Sequence, residues 1–236
     1  MNSGSDQARA GKRSARYPKA RRTPRTLLVN EIYASIQGEG PEQGYPTVLL
    51  RLTGCNLRCF YCDSAFAFYE GGRTSVKEVV EKVQGLSLRR VLVTGGEPMA
   101  QAATPALCKA LLRKGHSVSI ETNGAYDLSC LPRGVLKVVD VKTPGSGEGG
   151  SFDVSILGQL SRRDSLKFVC SGREDYLWSR DFLKEHGLPG SVPVLFTAVA
   201  GALDPKDLAG WVLEDRLCVR VQIQLHKILW GDKRGV

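Results

Sequence analysis

Cys55, Cys59 and Cys62 place three thiols within eight residues, spaced C-x3-C-x2-C. A thiolate is a soft ligand that suits zinc, copper or iron–sulfur clusters. A cubic 4Fe–4S cluster is ordinarily held by four cysteines, yet the next one, Cys108, lies 46 residues further on. Three thiolates leave one iron open, and an open position is what separates catalytic from structural metal sites. Positions i, i+4 and i+7 also share one helix face, and cysteine is among the most buried residue types. Gly54 and Asn56 before the last two thiols, with Asp63-Ser64 after them, read instead as loop. A structural zinc site would want a fourth ligand, and the chain has no second C-x-x-C and no H-x3-H. The spacing therefore favours a cluster over zinc or core packing.

Other residues could act beside that loop. Glu39 stands between Gly38 and Gly40, so the backbone can turn tightly and present one carboxylate. Arg51 interrupts the apolar run at 47–52, where a buried guanidinium needs an anionic partner, either a structural carboxylate or a substrate. Gly95-Gly96-Glu97-Pro98 follows the strand begun at Arg90, and paired glycines let backbone groups approach a ligand closely. Glu121-Thr122-Asn123 and Asp140-Val141-Lys142 end two further strands, and His226 follows a last one at 217–225.

The elements that must position these groups alternate. Strands are expected at 27–33, 47–52, 90–93, 118–122, 135–141, 166–170, 192–196 and 217–225. A helix opens at Ser75-Val76-Lys77-Glu78 with a capping-box pattern, and Val76, Val79, Val80 and Val83 form its apolar stripe. Others start at Thr104-Pro105 and span 173–186 and 205–214. Such alternation implies parallel strands with helices outside. Too few units occur for eight, so the fold class is α/β, an open, partial (β/α)6-type TIM-like barrel with the cysteine loop after the first barrel strand. Its active rim is the C-terminal end of the strands. Residues 143–150, five of them Gly or Pro, could form a lid or an ordinary surface loop.

Bulk composition sets limits. The 236 residues are 42% hydrophobic, as in ordinary globular proteins. No run of 18 apolar residues exists, so no membrane span is expected, and no secretory signal is visible. Seven cysteines, three of them clustered, fit a reducing cytoplasmic setting; Cys108, Cys130, Cys170 and Cys218 read as small buried hydrophobes. The formal charge of +9 is concentrated in residues 1–25, with eight basic residues against Asp6, while 26–236 holds 25 basic and 23 acidic residues. Residues 1–25 are expected to be a disordered basic extension, with nucleic-acid contact not expected, and 26–236 one domain.

The cysteine spacing resembles the radical S-adenosylmethionine (SAM) superfamily signature. Together with Ser35-Ile36-Gln37-Gly38-Glu39-Gly40, Thr94-Gly95-Gly96-Glu97-Pro98 and Gln224-Leu225-His226-Lys227, it resembles the 7-carboxy-7-deazaguanine synthases over 27–236. That resemblance implies a lyase that makes 7-carboxy-7-deazaguanine from 6-carboxy-5,6,7,8-tetrahydropterin with loss of ammonia, in queuosine and deazapurine biosynthesis. It implies a 4Fe–4S cluster on Cys55, Cys59 and Cys62, and SAM held by Gly96, Glu97, Tyr61 and Asp63. Glu121, Asn123, Asp140, Val141 and Lys142 would also contact SAM, and Phe196, Thr197, Ala198 and Val199 would border its adenine. Ile36, Gln37, Gly38, Glu39, Arg51, Thr94 and His226 would bind the pterin, with Glu39 and His226 as the catalytic pair. Mg2+ would sit on the Ser64 hydroxyl. Partners implied are a flavodoxin or ferredoxin as electron donor and a second copy as homodimer. Two other readings remain open at this point: a glycyl-radical-enzyme activase, and a zinc or RNA-binding protein.

Overall fold

The computed structural model describes residues 25–188 and 190–236; the basic extension lies almost wholly outside them. Strand β1 (Thr26–Ile36) runs antiparallel to both β2 (Pro46–Leu52) and β3 (Gly72–Ser75). From β2 onward the sheet is parallel through β4 (Arg90–Gly95), β5 (Ser117–Thr122), β6 (Leu136–Asp140), β7 (Ser165–Cys170), β8 (Val194–Ala198) and β9 (Arg220–Gln222). The order β3-β1-β2-β4-β5-β6-β7-β8-β9 leaves β3 and β9 as opposite ends, so the barrel is open. The fold is the expected α/β partial barrel, with seven parallel strands, the last only three residues long.

Alternation along β2 shows how the strands divide their faces. Val48, Leu50 and Leu52 are wholly buried against the outer helices, whereas Leu49 and Arg51 turn to the inner cavity. Helices α1 (Val76–Gly85) and α2 (Thr104–Arg113) cover the first half. Ser75 and Glu78 form the capping box of α1, and Val79, Val80 and Val83 are its buried stripe. Helices α3 (Arg173–Glu185) and α4 (Pro205–Glu214) cover the second half. Phe168, Phe196, Tyr176 and Phe182 pack there at centroid distances of 5.5–6.1 Å.

Three expectations need correction. Residues 217–225 are not one strand: β9 stops at Gln222, and Leu225–Trp230 forms the short helix α5, which carries His226. The reason is local. Gln43 donates to the Ile223 carbonyl (2.7 Å) and the Leu225 amide donates to the Gly38 carbonyl (3.1 Å), so these groups leave the ladder. Cys130 and Cys218 are exposed; only Cys108 and Cys170 fill the core. Of the two readings for residues 143–150, the structure shows the surface loop, anchored where Gly145 donates to Asp175 (2.7 Å) and the Ser146 carbonyl accepts from the Phe60 amide (2.9 Å). Finally, β1 is one long strand with a bulge. Val29 faces Leu52, yet Glu31 rather than Asn30 faces Arg51, because an extra residue re-aims the side chains beyond it. Among the described residues no helix is long and apolar enough to cross a membrane.

Candidate active site

A cavity of about 250 Å³ opens at the C-terminal ends of the parallel strands. The cysteine loop forms one wall. Its base is fixed where Gly54 donates to the Ala67 carbonyl (2.8 Å) and accepts from the Glu97 amide (2.7 Å). Gly96 lies directly on that loop: a Cβ there would fall 2.5 Å from the Gly54 carbonyl carbon and 2.9 Å from the Cys55 nitrogen. Asn123 donates to Asn56 (2.9 Å), and Tyr61 donates to the Val169 carbonyl (3.0 Å), tying the loop to the ends of β5 and β7. Cys55, Cys59 and Cys62 are half-buried and line the cavity. Burial pushes the Cys59 thiol up to about 11, opposed mainly by the Lys142 ammonium. Burial raises the Cys55 and Cys62 thiols as well, with Lys142 among the smaller opposing influences.

Among the described residues no three His, Cys, Asp or Glu side chains converge as a single ion would require. A cubane takes each thiolate on a different iron, so three separated thiols on one loop beside a cation fit that group.

Charged groups make up much of the remaining lining. Arg51 donates to Glu31 (2.7 Å) and to the Ser64 hydroxyl (2.9 Å), which in turn donates to Asp63 (2.9 Å). Lys167, on β7, has its ammonium 2.7 Å from Glu39, 3.4 Å from Asp140 and 3.8 Å from Glu121. Lys142 shares Asp140 at 3.0 Å. Burial opposes the Lys167 charge, but Glu121, Glu39 and Asp140 outweigh it and raise its pKa well above the ordinary value. For Asp140 burial is likewise outweighed, here by Lys142 and Lys167, and the carboxyl is held low. Glu121 goes the other way: burial dominates and raises it against the pull of Lys167.

His226 meets Asp63 at 3.3 Å, and its ring lies against Gly38, where no Cβ could fit. Gln222 clamps the same loop, accepting from the Gly40 amide (3.1 Å) and donating to its carbonyl (2.8 Å). Asp63 sits below the ordinary carboxylate range: burial would raise it, but bonds from His226 and Ser64 prevail.

The structure thus gathers the expected Ile36, Gln37, Gly38, Glu39, Arg51, Cys55, Cys59, Tyr61, Cys62, Asp63, Ser64, Thr94, Gly96, Glu121, Asn123, Asp140, Lys142 and His226 around one cavity. Six expected residues do not line it. Glu97 is wholly buried, its carboxylate accepting from Met99 N (2.8 Å), Thr122 Oγ1 (2.7 Å) and Asn123 N (2.7 Å), so it braces the turn against β5. Burial pushes that carboxyl up to about 7. Val141 is buried, and Phe196, Thr197, Ala198 and Val199 are core residues at the end of β8. Sequence reasoning missed Glu31, Tyr33 and Lys167, which all line the cavity. Lys167 carried one signal, a lone cation inside a strand otherwise apolar after Ser165.

An open parallel barrel with three thiols on the loop after its first parallel strand defines a radical SAM enzyme, and the Radical SAM superfamily model matches residues 49–137. That superfamily implies a 4Fe–4S cluster and SAM. The chain is 42% identical over 226 residues to the 7-carboxy-7-deazaguanine synthase of Koribacter versatilis, covering 89% of this chain and 100% of that one. It is 36% identical over 218 residues to that of Chlorobaculum tepidum, covering 91% and 99%. The crystal structure of QueE from Escherichia coli superposes with a TM-score of 0.72 at 20% identity, over 85% of this chain and 95% of that one, and shares the fold. The chain belongs to the 7-carboxy-7-deazaguanine synthase family and is a radical SAM enzyme of deazapurine biosynthesis. The activase and zinc-binding readings fall away.

Proposed function

We propose that the chain converts 6-carboxy-5,6,7,8-tetrahydropterin to 7-carboxy-7-deazaguanine with loss of ammonia. One observation carries this: a single cavity is lined by the three thiols together with the Glu39–Lys167 and Glu31–Arg51 pairs. Glu39 offers a carboxylate to the guanidine-like edge of the pterin, a geometry suited to paired N–H donors. Arg51, opposite on β2, meets the pterin carboxylate. The Gly38 backbone and His226 shape the floor beneath the ring. The cluster and SAM supply the hydrogen-abstracting chemistry when bound; Cys55, Cys59 and Cys62 hold the cluster. The Gly96 backbone, Asn123, Asp140 and Lys142 bind SAM, while Tyr61 and Glu97 keep the loop and turn in place.

Mg2+ would be held by the Ser64 oxygen beside the Asp63 carboxylate, in place of the bond Ser64 now accepts from Arg51, as suits a hard ion that takes few protein ligands. Electrons come from a flavodoxin or ferredoxin, and a homodimer would cover the exposed Ile228 and Leu229 of α5. Residues 26–236 form the catalytic domain, acting in the cytoplasm. Anaerobic reconstitution with iron, sulfide, reductant, SAM, Mg2+ and the pterin tests this reading. Mass spectrometry should find the deazaguanine acid. SAM cleavage without it would overturn the substrate assignment.

A further inference from the structure

Lys167 has no place in the roles above, yet it is the best-enclosed charge of the site. All six residues of β7 are buried, and the Lys167 side chain is 5% exposed. Its ammonium reaches Glu39 from the β1–β2 loop, Glu121 from β5 and Asp140 from β6. Lys142 and Arg51 are the other cations facing these acids. Lys167 grips Glu39 by Oε2 alone, at 2.7 Å. The second oxygen, Oε1, is buried without a hydrogen-bond partner. A buried carboxylate oxygen left open is costly unless something else completes it.

We propose that Lys167 is a positioning residue that holds Glu39 by one oxygen and leaves the other free for the substrate, which selects a ring edge with adjacent N–H donors. The inference rests on the reading of Glu39 as the partner of the pterin. Without the ammonium, Glu39 would lose its fixed rotamer. An aminopyrimidinone edge supplies the two donors that such an oriented anion accepts.

The test compares cluster-loaded wild type, Lys167→Met and Glu39→Gln, each with SAM bound. The probe is 6-carboxypterin, followed by its own fluorescence at pH 7. Loss of one charge-assisted contact should weaken pterin binding to Lys167→Met about tenfold at pH 7, with SAM affinity unchanged. Adding Glu39→Gln to Lys167→Met should cost nothing further, and Lys167→Arg should restore part of the loss. Wild-type pterin affinity in Lys167→Met would overturn the proposal, as would an equal loss of pterin and SAM binding or no recovery in Lys167→Arg. If Glu39→Gln itself binds the pterin normally, the underlying reading of Glu39 fails instead. Should Lys167→Met not fold, wild-type enzyme labelled with 15N-lysine gives a second readout. The Lys167 signal should move when 6-carboxypterin binds and not in Glu39→Gln; an unmoved signal in wild type overturns the proposal.

Discussion

Gly38→Ala should damage the site through one contact, the imidazole of His226. The added Cβ would lie 2.8 Å from Cγ and 2.9 Å from Cβ of His226, and closer still to Nδ1. Gly38 is not in the left-handed region, so the backbone itself tolerates alanine. Ordinary carbon contacts need about 3.5–4.0 Å, so the ring must withdraw by roughly 1 Å. That displaces it from Asp63, a half-exposed contact worth about 0.5–1 kcal/mol after screening. Overpacking of this kind costs about 1–3 kcal/mol in total. In a chain of this size each kcal/mol lowers Tm by about 2–4 °C. The assay is urea unfolding of four proteins: wild type, Gly38→Ala, His226→Ala and the double variant. In the His226→Ala background the methyl meets no ring, so Gly38→Ala should then cost almost nothing. An equal cost in both backgrounds would refute the contact. Catalysis should remain low in the double variant, because room without imidazole does not restore the site.

Other perturbations follow the same geometry. Gly96→Ala sets a methyl against the backbone of Gly54 and Cys55 rather than against a movable side chain; stability should fall by about 2 kcal/mol or more, and iron taken up on reconstitution should drop with it. Glu31→Gln removes the carboxylate that orients Arg51. Unfolding should show a loss of about 1–3 kcal/mol, and steady-state kinetics should show KM for the pterin rising more than kcat falls. Asp164 joins β6 to β7, accepting from the Lys137 amide (2.8 Å), the Ser161 amide (2.8 Å) and the Ser161 hydroxyl (2.8 Å). Burial would raise its pKa, but those bonds lower it. Its contribution is therefore full above the unfolded value of about 3.9 and is lost as pH falls through the folded one. Asp164→Asn should destabilise at pH 7, with the gap to wild type closing below about pH 4 in acid-unfolding curves.

Local pattern made much of this molecule legible. The cysteine loop, the Gly-Gly-Glu-Pro turn and the α1 capping box are written in consecutive residues, and the helices at 173–186 and 205–214 fell within a residue of their observed bounds. What escaped depends on register or on distant partners. Glu31 reaches Arg51 only because a bulge shifts β1, and no local signal marks it. Lys167 looks like a strand residue until β6, β5 and the Glu39 loop bring three carboxylates to it. His226 sits on a helix rather than a strand end because the 37–44 loop captures the backbone just before it. The family resemblance sets Phe196 beside adenine, but its ring joins the aromatic core under α3. Glu97 was read as a ligand to SAM, yet three donors already claim its carboxylate.

The most direct measurement is a diffraction structure of the cluster-loaded enzyme with SAM and 6-carboxypterin. The pterin ring edge should lie on the free oxygen of Glu39, its carboxylate toward Arg51 and Ser64, and SAM between it and a cluster on Cys55, Cys59 and Cys62. Pterin density outside this cavity, or a pterin that leaves Glu39 and Arg51 untouched, would contradict that placement.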